Sequence, residues 1–165
     1  MTLKGPMLHM FCGKIASGKS TLAAELGKVP GAITLAEDVW LGPIYGDQMS
    51  TPADFVRCSA QLRQTIGPHI VELLKGHMTV VLDYQANTVE SRAWMRGILD
   101  QTEADHALHF FDVPDAVCLD RLRKRNEGGE HPFEATEQQF HMFSKHFVAP
   151  GADEGFNIVR HEFDG

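Results

Sequence analysis

Gly13-Lys14-Ile15-Ala16-Ser17-Gly18-Lys19-Ser20 decides how the rest of the chain is read. The octapeptide satisfies G-x-x-x-x-G-K-[ST] at every fixed position, the pattern of a phosphate-binding P-loop. Such a loop wraps a phosphate in backbone N–H groups, and Gly13 and Gly18 permit the dihedrals and close approach this demands. Lys19 brings a point charge to the β- and γ-phosphates, and the Ser20 hydroxyl is a ligand for Mg²⁺. Gly13, Ala16, Ser17, Gly18, Lys19, Ser20 and Thr21 form the expected nucleotide-binding set. A plain glycine-rich turn would share this composition, so the flanks matter. Met7-Leu8-His9-Met10-Phe11-Cys12 ahead of it reads as a short strand, and Thr21-Leu22-Ala23-Ala24-Glu25-Leu26 behind it as a helix. Strand, loop and helix in that order place the phosphate at a helix N-terminus. The chain is expected to bind a nucleoside triphosphate.

Outward from the loop, apolar runs alternate with helical patterns, the signature of an α/β fold with a parallel sheet. After a turn from Gly27 to Gly31, Ala32-Ile33-Thr34-Leu35 predicts a second strand, running into Glu37-Asp38 at its end. Gly42-Pro43-Ile44-Tyr45-Gly46 reads as loop. Thr51 and Pro52 suit the N-cap and first position of a helix. Phe55, Leu62, Ile66, Ile70 and Leu73 share one face of it, and Gly67-Pro68 predicts a kink or break within it. Met78 to Asp83 is a nearly continuous apolar run, as suits a strand covered on both faces. A helix over 88–101, a strand from His106 to Val113, helices from Pro114 to Asn126 and from Thr136 to His146, and a strand from Phe156 to Arg160 complete the pattern. Ligands belong at the carboxyl ends of such strands.

The 165 residues and 43% hydrophobic content suit one domain around a single core, with a lid segment around 121–135. A formal charge of −7 makes broad contact with nucleic acid or an anionic membrane a poor expectation. The three cysteines are widely spaced, which fits a reducing cytoplasm rather than a disulfide or zinc scaffold. The nine histidines are scattered rather than set at metal-ligand spacing. No stretch reaches the ~18 consecutive apolar residues of a membrane span, and the first residues lack a signal-peptide core.

Four sets of residues carry the expected chemistry. Asp83 closes Val80-Val81-Leu82 where an aspartate would sit beside the Mg²⁺ that Ser20 ligates; the alternative is an ordinary strand-ending Asp. Tyr84 follows it instead of a water-activating Glu, which favours transfer to a bound acceptor over hydrolysis. Asp38, ending the second strand, suits a base that takes the proton of an acceptor hydroxyl, with Glu37 as the fallback and a helix cap as the plainer reading. Arg121 and Arg125 share a helix face at i, i+4, an unfavourable pairing unless an anion lies between them; a basic helix end is the alternative. Asn87, Arg92 and Arg96 are candidates to meet the acceptor, or else a turn residue and surface arginines. Trp40, Tyr45 and Phe55 are candidate pocket walls or core. No Asn-Lys-x-Asp guanine reader is present, so ATP is favoured.

Gly13 to Leu22, Glu37-Asp38, Val80 to Thr88 and Arg121 to Asn126 together resemble the bacterial AAA_33-type kinase group, related to polynucleotide kinase, zeta toxin and chloramphenicol phosphotransferase. The resemblance extends over nearly the whole chain, including Gly155 to His161. It implies a three-layer α/β/α P-loop nucleoside triphosphate hydrolase fold, with a five-stranded parallel sheet of order 2-3-1-4-5. It also implies Asp38 as acceptor-side base and Arg121 and Arg125 as lid arginines. The expected activity is ATP- and Mg²⁺-dependent transfer of the γ-phosphoryl group to a small-molecule hydroxyl. Its alternatives are a regulatory ATP-binding switch without transfer, or a toxin-like kinase acting on a nucleotide sugar.

Overall fold

The computed structural model describes residues 5–129 and 135–163, so residues 130–134 of the expected lid lie outside the described residues. Five parallel strands form one sheet: β1 (Met7–Cys12), β2 (Ala32–Ala36), β3 (Thr79–Gln85), β4 (Asp105–Asp112) and β5 (Ile158–Glu162). Their spatial order is β2-β3-β1-β4-β5, as the family resemblance implies. Among the described residues six helices connect or flank them: α1 (Lys19–Gly27), α2 (Glu37–Tyr45), α3 (Pro52–Lys75), α4 (Val89–Leu99), α5 (Asp115–Gly128) and α6 (Glu137–Ser144). Among the described residues no helix is long and apolar enough to cross a membrane.

Strand alternation divides the core. Leu8, Met10, Val80, Leu82 and Leu108 turn to one face, where Ile66, Ile70 and Leu74 of α3 and Met95 and Ile98 of α4 bury them. Phe11 and Val81 turn to the other and meet Ala23 of α1. Threonines set the helix starts where the sequence placed them. Thr51 accepts from the Asp54 N–H in a reciprocal capping box, and Thr88 and Thr136 accept from Ser91 and Gln139.

One local expectation fails, and the break offered as one half of another does not occur. The stretch Gly42 to Tyr45 is not loop but the end of α2, with Pro43 inside it, followed by a 3₁₀ turn over Gly46–Gln48. Leu41, only 2% exposed, and Tyr45 pack on Cys58 and Leu62 of α3, and that burial outweighs the proline's lost donor. Nor does Gly67-Pro68 break α3, which runs from Pro52 to Lys75. Leu62 and Ile66 before the pair and Ile70 and Leu74 after it are all buried, tying both halves to neighbouring elements. A Cβ at Gly67 would stand 3.2 Å from Trp94 Nε1 on α4, so the glycine also serves close helix packing. Phe55, assigned to the same face, is instead exposed.

A row of histidines crosses β1, β4 and β5. His9 Nδ1 lies 3.0 Å from His109 Nε2, and His109 Nδ1 lies 3.0 Å from His161 Nε2. Burial, then the charges of His9 and His161, lowers the His109 pKa from 6.5 to about 4. A base depressed in this way takes up a proton on unfolding. Its contribution is therefore complete above about pH 6.5 and is lost as pH falls towards 4. Between pH 7 and pH 4.5 the unfolding free energy should fall ~2–3 kcal/mol further in the wild-type chain than in His109→Gln. Denaturant titrations at the two pH values measure this, and equal losses would refute it.

Candidate active site

β1 delivers the chain into the P-loop at Gly13, where there is no room for a side chain. A Cβ there would meet Ser17 Oγ at 2.6 Å and Phe111 Cβ at 2.9 Å. Gly18, just before α1, has φ +111°, which a side chain would strain. Ala16 also adopts a positive φ, 62°, in the middle of the loop. The Ser17 hydroxyl is buried without a hydrogen-bond partner among the described residues. The Lys19 ammonium folds back onto the Gly13 carbonyl. Burial lowers its pKa to about 8, against the charges of Cys12, Asp83 and Cys118, which favour the ammonium.

α5 brings its arginines to the same place. Arg121 Nη1 donates to the Ser17 carbonyl at 3.3 Å, and its guanidinium lies 5.4 Å from the Phe163 ring centroid. Arg121 and Arg125 border a cavity of about 700 Å³ together with Ala16 to Thr21, Phe111, Val113 and the end of β5. The Arg125 Nε is buried and has no hydrogen-bond partner among the described residues. The other two cations of the segment are occupied elsewhere: Arg123 pairs with Glu137 at 2.5 Å and Lys124 with Asp120 at 3.1 Å. Helical spacing thus separates the basic run into a cavity face and a surface face.

The carboxylates lie at the ends of β2 and β3. Ala36 and Asp83 are in register, so the residues after Ala36 start beside Asp83. Glu37 and Asp38 form the first turn of α2 rather than prolonging β2. Asp38 is exposed, while Glu37 is buried and accepts from Ser59 Oγ. Burial raises the pKa of both Glu37 and Asp83, and the Asp38 charge raises each further. The Lys19 charge opposes that shift at Asp83.

Three expected acceptor contacts are engaged elsewhere. Arg92 is fully buried, with Nε on Glu154 at 2.8 Å and Nη1 on the carbonyls of Ala86 and Val148. Asn87 spends its side-chain amide on Gly13: Oδ1 accepts from the Gly13 N–H and Nδ2 donates to the Gly13 carbonyl. Arg96 pairs with Asp100 and donates to Gly155. Trp40 and Phe55 are exposed, and Tyr45 belongs to the α2–α3 core.

The family model described as AAA_33, AAA domain, matches residues 8–150. The chain belongs to this family.

No curated protein sequence matches it. Solved structures do share its fold. The APS kinase of Mycobacterium tuberculosis, in complex with AMPPNP and APS, is 19% identical with a TM-score of 0.65, covering 99% of this chain and 91% of that one. A gluconokinase from Sinorhizobium meliloti is 17% identical with a TM-score of 0.58, covering 97% and 84%. A chain of the Pnkp1/Rnl/Hen1 RNA repair complex is 21% identical with a TM-score of 0.57, covering 89% and 48%. The AAA_33 chain therefore has the fold of P-loop kinases.

Sequence reading missed the part of the cavity built by Phe111, Val113, His161, Glu162 and Phe163 of this AAA_33 chain. Their positions near the carboxyl ends of β4, which pairs with β1, and of β5, which pairs with β4, were the available signal; which side chains at those ends border the P-loop depends on packing that spacing along the chain does not reveal.

The residues present fit a nucleotide with Mg²⁺. Ser17 and Arg125 border the cavity, and Ser17 Oγ and Arg125 Nε have no hydrogen-bond partner among the described residues. Ser20 and Asp83 carry hard oxygen donors of the kind Mg²⁺ prefers, and would be the side chains to hold it. Among the described residues no three His, Cys, Asp or Glu side chains are grouped to hold a metal ion.

Proposed function

We propose that the protein is a kinase that transfers the γ-phosphoryl group of ATP to a hydroxyl of a small molecule. The observation that carries this reading is the shared cavity: Lys19 of the P-loop and Arg121 and Arg125 of α5 converge on one space of triphosphate size. Lys19 and the loop amides hold the β- and γ-phosphates. Ser20 and Asp83 would hold Mg²⁺, which neutralises charge between these phosphates. Asp38 accepts the proton as the acceptor oxygen bonds to phosphorus; the bond from the γ-phosphorus to the bridging oxygen breaks and ADP leaves. Arg121 and Arg125 offset the charge that spreads over the phosphoryl oxygens.

The net charge of −7 favours a small acceptor over a long nucleic acid. Tyr84 beside Asp83, where a hydrolytic site places Glu, favours an acceptor other than water. Incubation with γ-labelled ATP, Mg²⁺ and a metabolite extract tests the reading, with mass identification of the labelled product. A labelled low-mass alcohol phosphate is expected. Nucleotide binding with label released only as inorganic phosphate, or never released, would refute transfer; an intact but unlabelled complex would select a nucleotide-controlled switch.

A further inference from the structure

Asn87 is a turn residue by sequence, yet its side-chain amide ignores its own turn and reaches Gly13, 74 positions away. The Gly13 N–H donates to Asn87 Oδ1 at 2.8 Å, and Asn87 Nδ2 donates to the Gly13 carbonyl at 2.9 Å. That same carbonyl receives the Lys19 ammonium. Gly13 is buried, so its carbonyl has no water to fall back on when the ammonium moves away.

We propose that Asn87 is a positioning residue that frees Lys19 for the phosphates by keeping the Gly13 carbonyl hydrogen-bonded after the ammonium leaves. The inference rests on the P-loop binding a triphosphate. Without Asn87, Lys19 is the only side chain on that carbonyl among the described residues, and moving it strands a buried acceptor. With Asn87 in place the carbonyl keeps a donor, and the ammonium can exchange it for phosphate oxygens.

The surroundings hold Asn87 to this task. The Ala86 N–H donates to the Phe11 carbonyl at 2.9 Å, and the Val148 N–H to the Asn87 carbonyl at 2.8 Å. Arg92 Nη1 bridges the carbonyls of Ala86 (2.9 Å) and Val148 (2.7 Å). Glu154 anchors Arg92 Nε; burial opposes the Glu154 charge, but hydrogen bonds from Arg92 and the Gly151 N–H keep its pKa below the usual range. The buried arginine thus ties residues 148–154 to the turn that grips the P-loop.

A double-mutant cycle tests the proposal, with Mg²⁺·AMP-PNP titrated to millimolar concentration. Asn87→Leu should weaken binding at least ~tenfold in the wild-type background, and less than ~twofold further in a Lys19→Met background, where no ammonium needs releasing. A loop merely disordered by the substitution would lose the same factor in both, and that result overturns the proposal, as does unchanged binding by Asn87→Leu. Asn87→Ala removes the same amide if leucine prevents folding. In the unmutated chain, hydrogen exchange provides a separate check. The Gly13 amide should stay protected with and without nucleotide, and free exchange in the bound state would overturn the proposal. Failure of the wild-type chain to bind AMP-PNP would be a distinct outcome, sinking the triphosphate reading itself.

Discussion

Lys19→Met should lower kcat/KM for phosphoryl transfer by ~10²–10³-fold or more, the usual consequence of removing one preorganised charge from a transition state. The substitution isolates charge from packing, because methionine fills much of the lysine stem's volume. Burial already works against the ammonium, lowering its pKa from 10.5 to about 8. The unfolded chain binds that proton more tightly, so the Lys19 charge disfavours folding below about pH 8. The penalty fades as pH rises from about 8 to 10.5, and wild-type stability gains over that window. Lys19→Met should therefore melt no lower than wild type at pH 7 and lack this gain. Radiolabel transfer assays and thermal melts from pH 7 to 10 measure the two effects. A variant that keeps a tenth of the activity would remove Lys19 from the phosphate site.

Asp38→Asn should cut kcat by ~10²–10⁴-fold, the range for a general base, while changing nucleotide affinity less than ~twofold. The reason lies in the division between the two carboxylates opening α2. Glu37 is turned inward, buried and hydrogen-bonded by Ser59, so Glu37→Gln would act mainly on packing around α3. Asp38 is exposed at the carboxyl edge of the sheet, close enough for its charge to raise the Asp83 pKa. Removing that charge lets Asp83 ionise more readily, so binding of Mg²⁺·ATP should not suffer. Single-turnover transfer to the acceptor, beside a binding titration, separates the outcomes. Full transfer by Asp38→Asn would assign the proton to another group, and loss of binding would make Asp38 part of the donor site.

Much of this molecule is written in short stretches. Met7 to Cys12 forms β1 and Thr79 to Gln85 forms β3 because continuous apolar runs suit strands covered on both faces. Thr51, Thr88 and Thr136 begin helices because a hydroxyl can reach an N–H three residues on. The i, i+4 spacing of Arg121 and Arg125 marks one face of α5, whatever that face meets. Where only neighbours had been considered, the reading failed. Pro43 and Pro68 look like breakers, yet both lie within helices because burial of Leu41, Ile66 and Ile70 outweighs one missing N–H.

The sequence alone determined the P-loop, the alternation of strands and helices and the candidate catalytic side chains, since each depends on residues a few positions apart. Tertiary structure decided what those side chains touch. It turned Arg92 from a surface candidate into a buried clamp on Glu154, 62 positions away. It put Asn87 on Gly13 and brought His161 and Phe163 from the end of β5 to the rim of the P-loop cavity. Those contacts follow from strand order and register, which arise when separate apolar faces pack together.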